Sequence, residues 1–340
     1  MTQPPGSYGY PPNQPPPYPG TWGPGPAAPP GYGPYGYGPY GYAPPPPPPE
    51  APRPGCVPLR PLGVGDILDG AFRATRRNPR VMLGLSAGFA VVEVLVTTGI
   101  SLLVFHDLAI GNAADSTGLG GALGNDGLQL LGLFMTMLLG GVLTGMLSLV
   151  VTQDVLGRKL SLSEVWAQTR PRVWTLAGLA VVTTVLSFLG LAACIAPGIW
   201  LWGIWAVAVP ACMVERTTVG GALRRSRQLV SGTFWRVWGI RALGWLVLQV
   251  VASLISVPFL VVALVAGGGL DAFVDPTGTP VAFLLLLGLG SLIGATLTAP
   301  IRAGVDALLY VDLRMRKEGL DIALQASAGP VAARPPMTAG

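Results

Sequence analysis

Residues 281–311 read VAFLLLLGLGSLIGATLTAPIRAGVDALLYV, an apolar run in which Arg302 and Asp306 are the only charged residues. A helix needs roughly 20 residues to cross a hydrocarbon core of about 30 Å. Backbone N–H and C=O groups in lipid must bond to each other, which favours a helix over an open strand. The run therefore predicts a transmembrane helix.

Five further runs of the same kind precede it, over Val81 to Phe105, Leu128 to Val151, Val173 to Cys194, Gly198 to Val214 and Val237 to Ala266. The fourth is near the lower length limit for a membrane span. Hydrophobic residues make up 51% of the chain and charged residues only 11%, which excludes an ordinary soluble globule. We expect an all-α, polytopic membrane protein with six transmembrane helices.

The cations are distributed asymmetrically. All 21 Lys and Arg residues fall in segments on one side of the six runs or, like Arg241 and Arg302, inside a run toward that side, whereas the loops on the other side, 106–127, 195–197 and 267–280, carry no cation. By the positive-inside rule we expect a multi-pass protein of the plasma membrane with both termini in the cytoplasm. The net charge of +5 then indicates contact with anionic lipids at the cytoplasmic face and no nucleic-acid partner.

Residues 1–57 have a different composition. Eight of the nine tyrosines lie there, among many prolines and glycines, and six prolines follow one another from Pro44 to Pro49. Such a segment cannot bury a core, so we expect a disordered cytoplasmic tail, either a passive tether or a docking arm for protein partners. The remaining chain is expected to form a six-helix membrane domain over residues 58–322 and a disordered tail over residues 323–340.

A weak threefold repeat runs through the membrane domain. Its copies begin at Val64, Leu162 and Val219, and each leads through a short polar segment into two apolar runs. Asp154 after the second run and Asp312 after the sixth are followed by a basic pair at the same offset. We therefore predict three units, each an interfacial helix followed by a helical hairpin.

Tryptophans and glycines mark the expected boundaries and contacts of the helices. The tryptophans near the cytoplasmic boundary are Trp166, Trp174, Trp235 and Trp238, and those near the outer boundary are Trp200 and Trp202. Three glycine pairs with small-xxx-small spacing predict close helix packing within the bundle: Gly84/Gly88, Gly141/Gly145 and Gly290/Gly294.

Three stretches carry a family resemblance. They are RPLGVGDILDGAF from Arg60 to Phe72, PGIW from Pro197 to Trp200 with ALRRS from Ala222 to Ser226, and LYVDLRMR from Leu309 to Arg316. Together they resemble a family of actinobacterial polytopic membrane proteins that is similar to the membrane domain of some glycerophosphoryl diester phosphodiesterases. In those enzymes the hydrolytic domain is a separate soluble barrel, so the resemblance, over about residues 60–322, implies only the membrane domain.

The residue inventory argues against catalysis. Metal-assisted hydrolysis generally needs clustered carboxylates with a His or Lys acid/base, and this chain has one histidine, His106. Cys56, Cys194 and Cys212 lack metal-ligand spacing, and the glycine-rich stretches lack the Lys and Ser/Thr of a phosphate loop. We expect a protein that is not an enzyme and that has no cofactor and no metal site.

Charged residues inside the apolar runs form the candidate intramembrane polar site. Glu93 lies near the middle of the first run, where a carboxylate is costly unless it is paired, hydrated or protonated. Arg302 and Asp306 have i,i+4 spacing and are expected to pair on one face of the sixth helix. This pair is interpreted as structural, while Glu93 fits a structural or a functional role.

Two classes of function fit these features. The preferred hypothesis is a scaffold or accessory protein of envelope or lipid-related machinery, because few charges enter the runs. The alternative is a transporter or lipid-translocating protein in which Glu93, Arg302 and Asp306 line a polar route. A wet cavity that contains Glu93 would favour the alternative, and a packed bundle would favour the scaffold.

Overall fold

A computed structural model describes residues 55–109, 119–266 and 281–320, without the side chains of residues 104–109 and 119–126. All regular structure in these ranges is helical, and six helical segments are long and apolar enough to cross a membrane. The prediction of an all-α, six-helix membrane fold is confirmed. The predictions for residues 1–54, for the side chain of His106 and for residues 323–340 lie outside the described residues.

The helices follow the predicted threefold order, with one short helix before each pair of spans. The first unit is α1 (Val64–Arg77), α2 (Pro79–Ala109) and α3 (Leu119–Val155). The second is α4 (Leu162–Thr169), a 3-10 turn (Arg170–Arg172), α5 (Val173–Ala193), α6 (Ile195–Ile204) and α7 (Ala208–Glu215). The third is α8 (Val219–Val230), α9 (Phe234–Ala266) and α10 (Val281–Glu318).

Helix α10 is the central element and packs against α1, α2, α3 and α9. The short helix α1 lies close against it, because Gly304 carries no side chain: an added Cβ would lie 2.8 Å from the Cβ of Ala71. Ile67 and Ala71 on α1 are fully buried, whereas Phe72 is exposed. The predicted interfacial helix therefore packs one of its faces on protein.

Two of the three glycine pairs pack as expected. A Cβ on Gly141 would lie 2.3 Å from the Cβ of Ala180, and one on Gly290 would lie 3.0 Å from Phe259. Gly84 and Gly88 have no such neighbour within 4 Å in the described part of the chain. The pair Gly141/Gly145 thus brings α3 close to α5, and the pair Gly290/Gly294 brings α10 close to α9.

The fourth span differs from the single helix that the sequence predicts, because it stops at Ile204 and restarts at Ala208. Backbone N–H groups across the break bond three residues back, so the carbonyls of Trp202 and Ile204 lose their helical partners. Side chains replace them. The Ser226 hydroxyl donates to the Ile204 carbonyl at 2.8 Å, and Arg241 donates to the Trp202 carbonyl at 2.6 Å.

The break also changes the expected aromatic belts. Trp202 was assigned to the outer boundary and Trp238 to the inner one, yet their ring centroids lie 6.5 Å apart in an edge-to-face contact. A Cβ on Gly203 would lie 2.6 Å from the ring of Phe234. The end of α6 thus lies beside the first turns of α9, and the assignment of Trp202 to the opposite boundary is wrong.

The folded domain begins earlier than residue 58. Cys56 and Val57, which the sequence assigns to the tail, are buried in the hydrophobic core with Leu59 and Leu62. Gly55 packs so closely on the end of α3 that a Cβ would meet the Asp154 carbonyl oxygen at 1.8 Å. Residues 55–62 therefore belong to the packed domain.

Candidate functional site

The structure brings Arg302 and Asp306 to one cavity and leaves Glu93 outside it. The cavity has a volume of about 230 Å³ and lies among α6, α9 and α10, with Trp202, Arg241 and Trp245 among its lining residues. Glu93, on α2, is half-buried and does not line the cavity. Among the described residues it forms no ion pair within 4.0 Å. The three residues therefore do not form one contiguous site.

The partner of Asp306 is Arg241 on α9, which the sequence reasoning did not single out. The Nε of Arg241 lies 3.1 Å from Oδ1 of Asp306, and its Nη2 lies 3.4 Å from Oδ2. The guanidinium also stacks over the Trp202 ring, 4.6 Å from its centroid. The expected pair of Arg302 with Asp306 is wrong, because Arg241 reaches the buried carboxylate from the facing helix and engages both of its oxygens.

Arg302 lies one turn from Asp306, at the other side of the same cavity. It is exposed and, within the described part of the chain, has no ion pair within 4.0 Å. Its charge acts on both Asp306 and Glu93, but without direct contact. Arg302 is therefore a cation in an apolar helix whose neighbouring carboxylate is already occupied by Arg241.

Sequence position indicates the depth of the two arginines. Residues 281–301 carry no charge over about 21 residues, or about 31 Å of helix, which matches a hydrocarbon core of about 30 Å. Residues 242–266 form the corresponding uncharged stretch of α9. Arg241 and Arg302 each lie at the basic end of these stretches, so both mark the edge of the apolar band.

An apolar groove lies beside the polar cavity. It has a volume of about 530 Å³ and runs among α5, α6 and α9, with Phe188, Leu191 and Trp238 in its walls. Trp202 and Trp245 line both the groove and the cavity. The two spaces are therefore adjacent, one polar and one apolar.

A second polar cluster lies at the basic end of the bundle, around the fully buried Asp312. Its Oδ1 accepts the Leu62 backbone N–H at 2.8 Å and Arg316 Nε at 2.9 Å, and its Oδ2 accepts from Arg236. Arg236 and Arg316 also donate to the Leu62 carbonyl, at 2.7 and 2.9 Å. Charge-assisted hydrogen bonds are stronger than neutral ones, so the backbone N–H and C=O of Leu62 are both held firmly. We name these four residues the Leu62 clamp.

Asp154 occupies the matching place in the first repeat. Its Oδ1 accepts hydrogen bonds from Arg77 and Asn78, both at 3.1 Å. Unlike Arg316, Arg158 does not pair with its aspartate, because α3 ends before it and Gly157, with φ of +76°, turns the chain away in a Schellman motif. The repeat thus keeps the buried aspartate and changes its partners.

A third cluster ties α7, α8 and α10 together. Arg225 on α8 donates to Glu215 at 2.7 Å and also pairs with Glu318. The Tyr310 hydroxyl donates to Glu215 at 2.9 Å, and Arg314 donates to Glu318 at 2.8 Å. Ion pairs and hydrogen bonds therefore link the end of the second unit, α7, to α8 and α10 of the third unit.

Cys56 is the thiol most affected by this packing. Burial, followed by the nearby carboxylate of Asp154, raises the pKa of Cys56 to about 12.

The described residues contain no group of three or more His, Cys, Asp or Glu side chains that could hold a metal ion. No protein-family model, curated protein or solved structure matches this chain.

Proposed function

We propose that this protein is a non-enzymatic anchor of the plasma membrane that presents residues 1–54 to partner proteins in the cytoplasm. The observation that carries the proposal is the Leu62 clamp, which fixes the chain directly after the proline-rich segment. A passive linker has no need for a buried carboxylate and two guanidinium groups on one peptide. The resemblance of residues 60–322 to a membrane domain that is separable from its hydrolase agrees with such a role.

The basic face predicts the orientation of the anchor in the membrane. Arg236 and Arg316 hold Leu62 at the same end of the bundle where Arg225 links α8 to α10. Basic residues next to membrane spans favour the cytoplasmic side and attract anionic lipids. Residues 1–54 would then emerge at the cytoplasmic surface, where proline-rich segments dock into aromatic grooves of partner domains.

A second candidate, a lipid-translocating protein, is supported by the interrupted fourth span. Discontinuous membrane-spanning helices form the binding sites of many transporters. Here the break lies beside Arg241 and the polar cavity. Glu93 does not line this cavity, which weakens the polar route through Glu93, Arg302 and Asp306 that the sequence suggested.

The anchor proposal is tested by capture of partners. The full chain and a variant without residues 1–54 are reconstituted in vesicles and exposed to a cytosolic extract of the source organism. We expect the full chain to retain a defined set of proteins that the shortened chain does not. A matched control replaces the six prolines from Pro44 to Pro49 with alanines and should lose the proteins that recognise polyproline.

Identical protein profiles for the full and shortened chains would contradict the anchor proposal. Translocation is tested separately, with the full chain in vesicles that contain a fluorescent lipid and an impermeant quencher outside. The anchor proposal expects only the outer-leaflet lipid to be quenched. Complete quenching would support the lipid-translocating candidate.

A further inference from the structure

We propose that this chain binds one anionic phospholipid at the junction of α6, α9 and α10. Its phosphate would lie against Arg302 in the polar cavity, and one acyl chain would occupy the adjacent apolar groove. This site is independent of the anchoring role of residues 1–54 and does not require that the lipid be moved across the membrane.

The charged residues that line the cavity favour an anionic ligand. Arg241 and Arg302 contribute two positive charges and Asp306 one negative charge. Both oxygens of Asp306 are already engaged by Arg241. Arg302 acts on Glu93 only at a distance and forms no ion pair within 4.0 Å among the described residues. Its guanidinium fork is therefore free to bind phosphate oxygens, which it matches in geometry as well as in charge.

The depth of the site matches a headgroup. Arg302 follows the uncharged residues 281–301, and Arg241 precedes the uncharged residues 242–266. Both guanidinium groups thus lie at the edge of the apolar band, where lipid phosphates lie, rather than near the bilayer centre. A long arginine side chain at this depth can keep its charged group among headgroups.

The groove supplies the apolar half of the site. It shares Trp202 and Trp245 with the cavity, so an acyl chain in the groove would lie next to a phosphate bound at Arg302. Its volume of about 530 Å³ lies within the roughly 300–1,000 Å³ typical of small-molecule sites. Phe188 and Trp245 expose their rings along it.

A lipid is the occupant that fits both halves. The groove lies within membrane-spanning segments, so the surrounding molecules are lipids, and a free phosphate ion would leave the apolar walls uncovered. The charged residues that line the cavity, two arginines and one aspartate, have a net charge of +1, which favours phosphatidylglycerol over neutral phosphatidylcholine. Matching an excess charge with an anionic headgroup is the electrostatic preference expected of such basic pockets.

The test uses tryptophan fluorescence. The full chain is reconstituted in phosphatidylcholine vesicles that contain increasing fractions of a lipid with brominated acyl chains, which quenches tryptophans in contact with it. We expect brominated phosphatidylglycerol to quench at lower mole fractions than brominated phosphatidylcholine. Arg302→Gln should weaken this preference about tenfold, which is about 1.4 kcal/mol. Arg224→Gln, the same charge change on the exposed face of α8, should leave it unchanged.

Three results would overturn the site. Equal quenching by the two brominated lipids in the unmodified chain excludes it without any variant. Unchanged preference in Arg302→Gln, with helical content intact by circular dichroism, excludes Arg302 as the phosphate ligand. Loss of the preference when inorganic phosphate is added at millimolar concentration would identify a soluble anion in place of a lipid. A preference for brominated phosphatidylglycerol that persists in the presence of inorganic phosphate supports a bound lipid.

Discussion

Arg241 bonds both carboxylate oxygens of the buried Asp306 and stacks on the Trp202 ring, so it joins α9 to α6 and α10. The i,i+4 spacing of Arg302 and Asp306 correctly placed both side chains on one face of α10, and both line the same cavity. The spacing could not reveal that α9 brings Arg241 to the same carboxylate, because a cross-helix partner depends on packing. A signal was present in the sequence, since Arg241 lies inside the apolar run from Val237 to Ala266 and so needs a partner, as Asp306 does.

A double-mutant cycle tests the corrected pairing. Because Arg241 bonds both oxygens of the buried Asp306, Asp306→Ala should lower the stability in detergent by up to about 3 kcal/mol, the lower end for a broken buried pair. The coupling energy between Arg241→Leu and Asp306→Ala should be about 1 kcal/mol or more. The same cycle with Arg302→Leu is the matched control and should give a smaller value, measured by thermal unfolding. A larger coupling for Arg302 would restore the pair expected from the sequence.

The pKa of Cys56 predicts its reactivity. Burial, followed by Asp154, raises this pKa from 9.0 to about 12, so the thiolate population at pH 8 is negligible. Maleimide should therefore modify the exposed Cys194 in the native protein and leave Cys56 unmodified, as counted by mass spectrometry. In Cys194→Ser the native protein should take up no label and the denatured protein two.

The same shift gives a pH dependence of stability. Between pH 9 and about 12 the unfolded thiol loses its proton while the folded thiol keeps it, so stability falls as the pH rises. Cys56→Ala should reduce this loss relative to the unmodified chain. A Cys56 adduct in native protein at pH 8 would contradict the burial on which both expectations rest.

At the scale of elements, hydrophobic runs predicted the spans well, because a segment in lipid must be both apolar and helical. The break in the fourth span had one signal in the sequence, Pro210, which has no N–H to donate to the Ala206 carbonyl and lies in the first turn of the helix that restarts at Ala208. The side chains that bond the free carbonyls could not be predicted, because Ser226 and Arg241 belong to other helices.

The close contact of α1 with α10 is tested at Gly304. Gly304→Ala would place a Cβ 2.8 Å from that of Ala71 and should destabilise the protein by about 1–3 kcal/mol through overpacking. Gly84→Ala is the matched control, since Gly84 is also helical but has no neighbour within 4 Å in the described residues. It should be neutral or stabilising by up to about 1 kcal/mol. Equal melting temperatures for the two variants would argue against the α1–α10 contact.

At the scale of the whole molecule, α10 is longer than a membrane is thick. Its 38 residues extend about 57 Å, whereas the hydrocarbon core is about 30 Å thick. The extra turns carry Asp312 and Glu318, which bind Leu62 and Arg225. The molecule thus combines an apolar bundle with an ion-paired basic face. The asymmetry of the cations predicted that face. The Leu62 clamp could not be predicted, because the bond between Leu62 and Asp312 joins residues 250 positions apart in the sequence.

The central claim is that this basic face lies in the cytoplasm and presents residues 1–54 there. Its most direct test is the accessibility of single cysteines in intact cells, after the three native cysteines are replaced. Ser116→Cys lies between the first two spans in the sequence, and Ser163→Cys lies in α4. An impermeant maleimide should label Ser116→Cys in intact cells and Ser163→Cys only after lysis. Labelling of Ser163→Cys in intact cells, with protection of Ser116→Cys, would contradict the account.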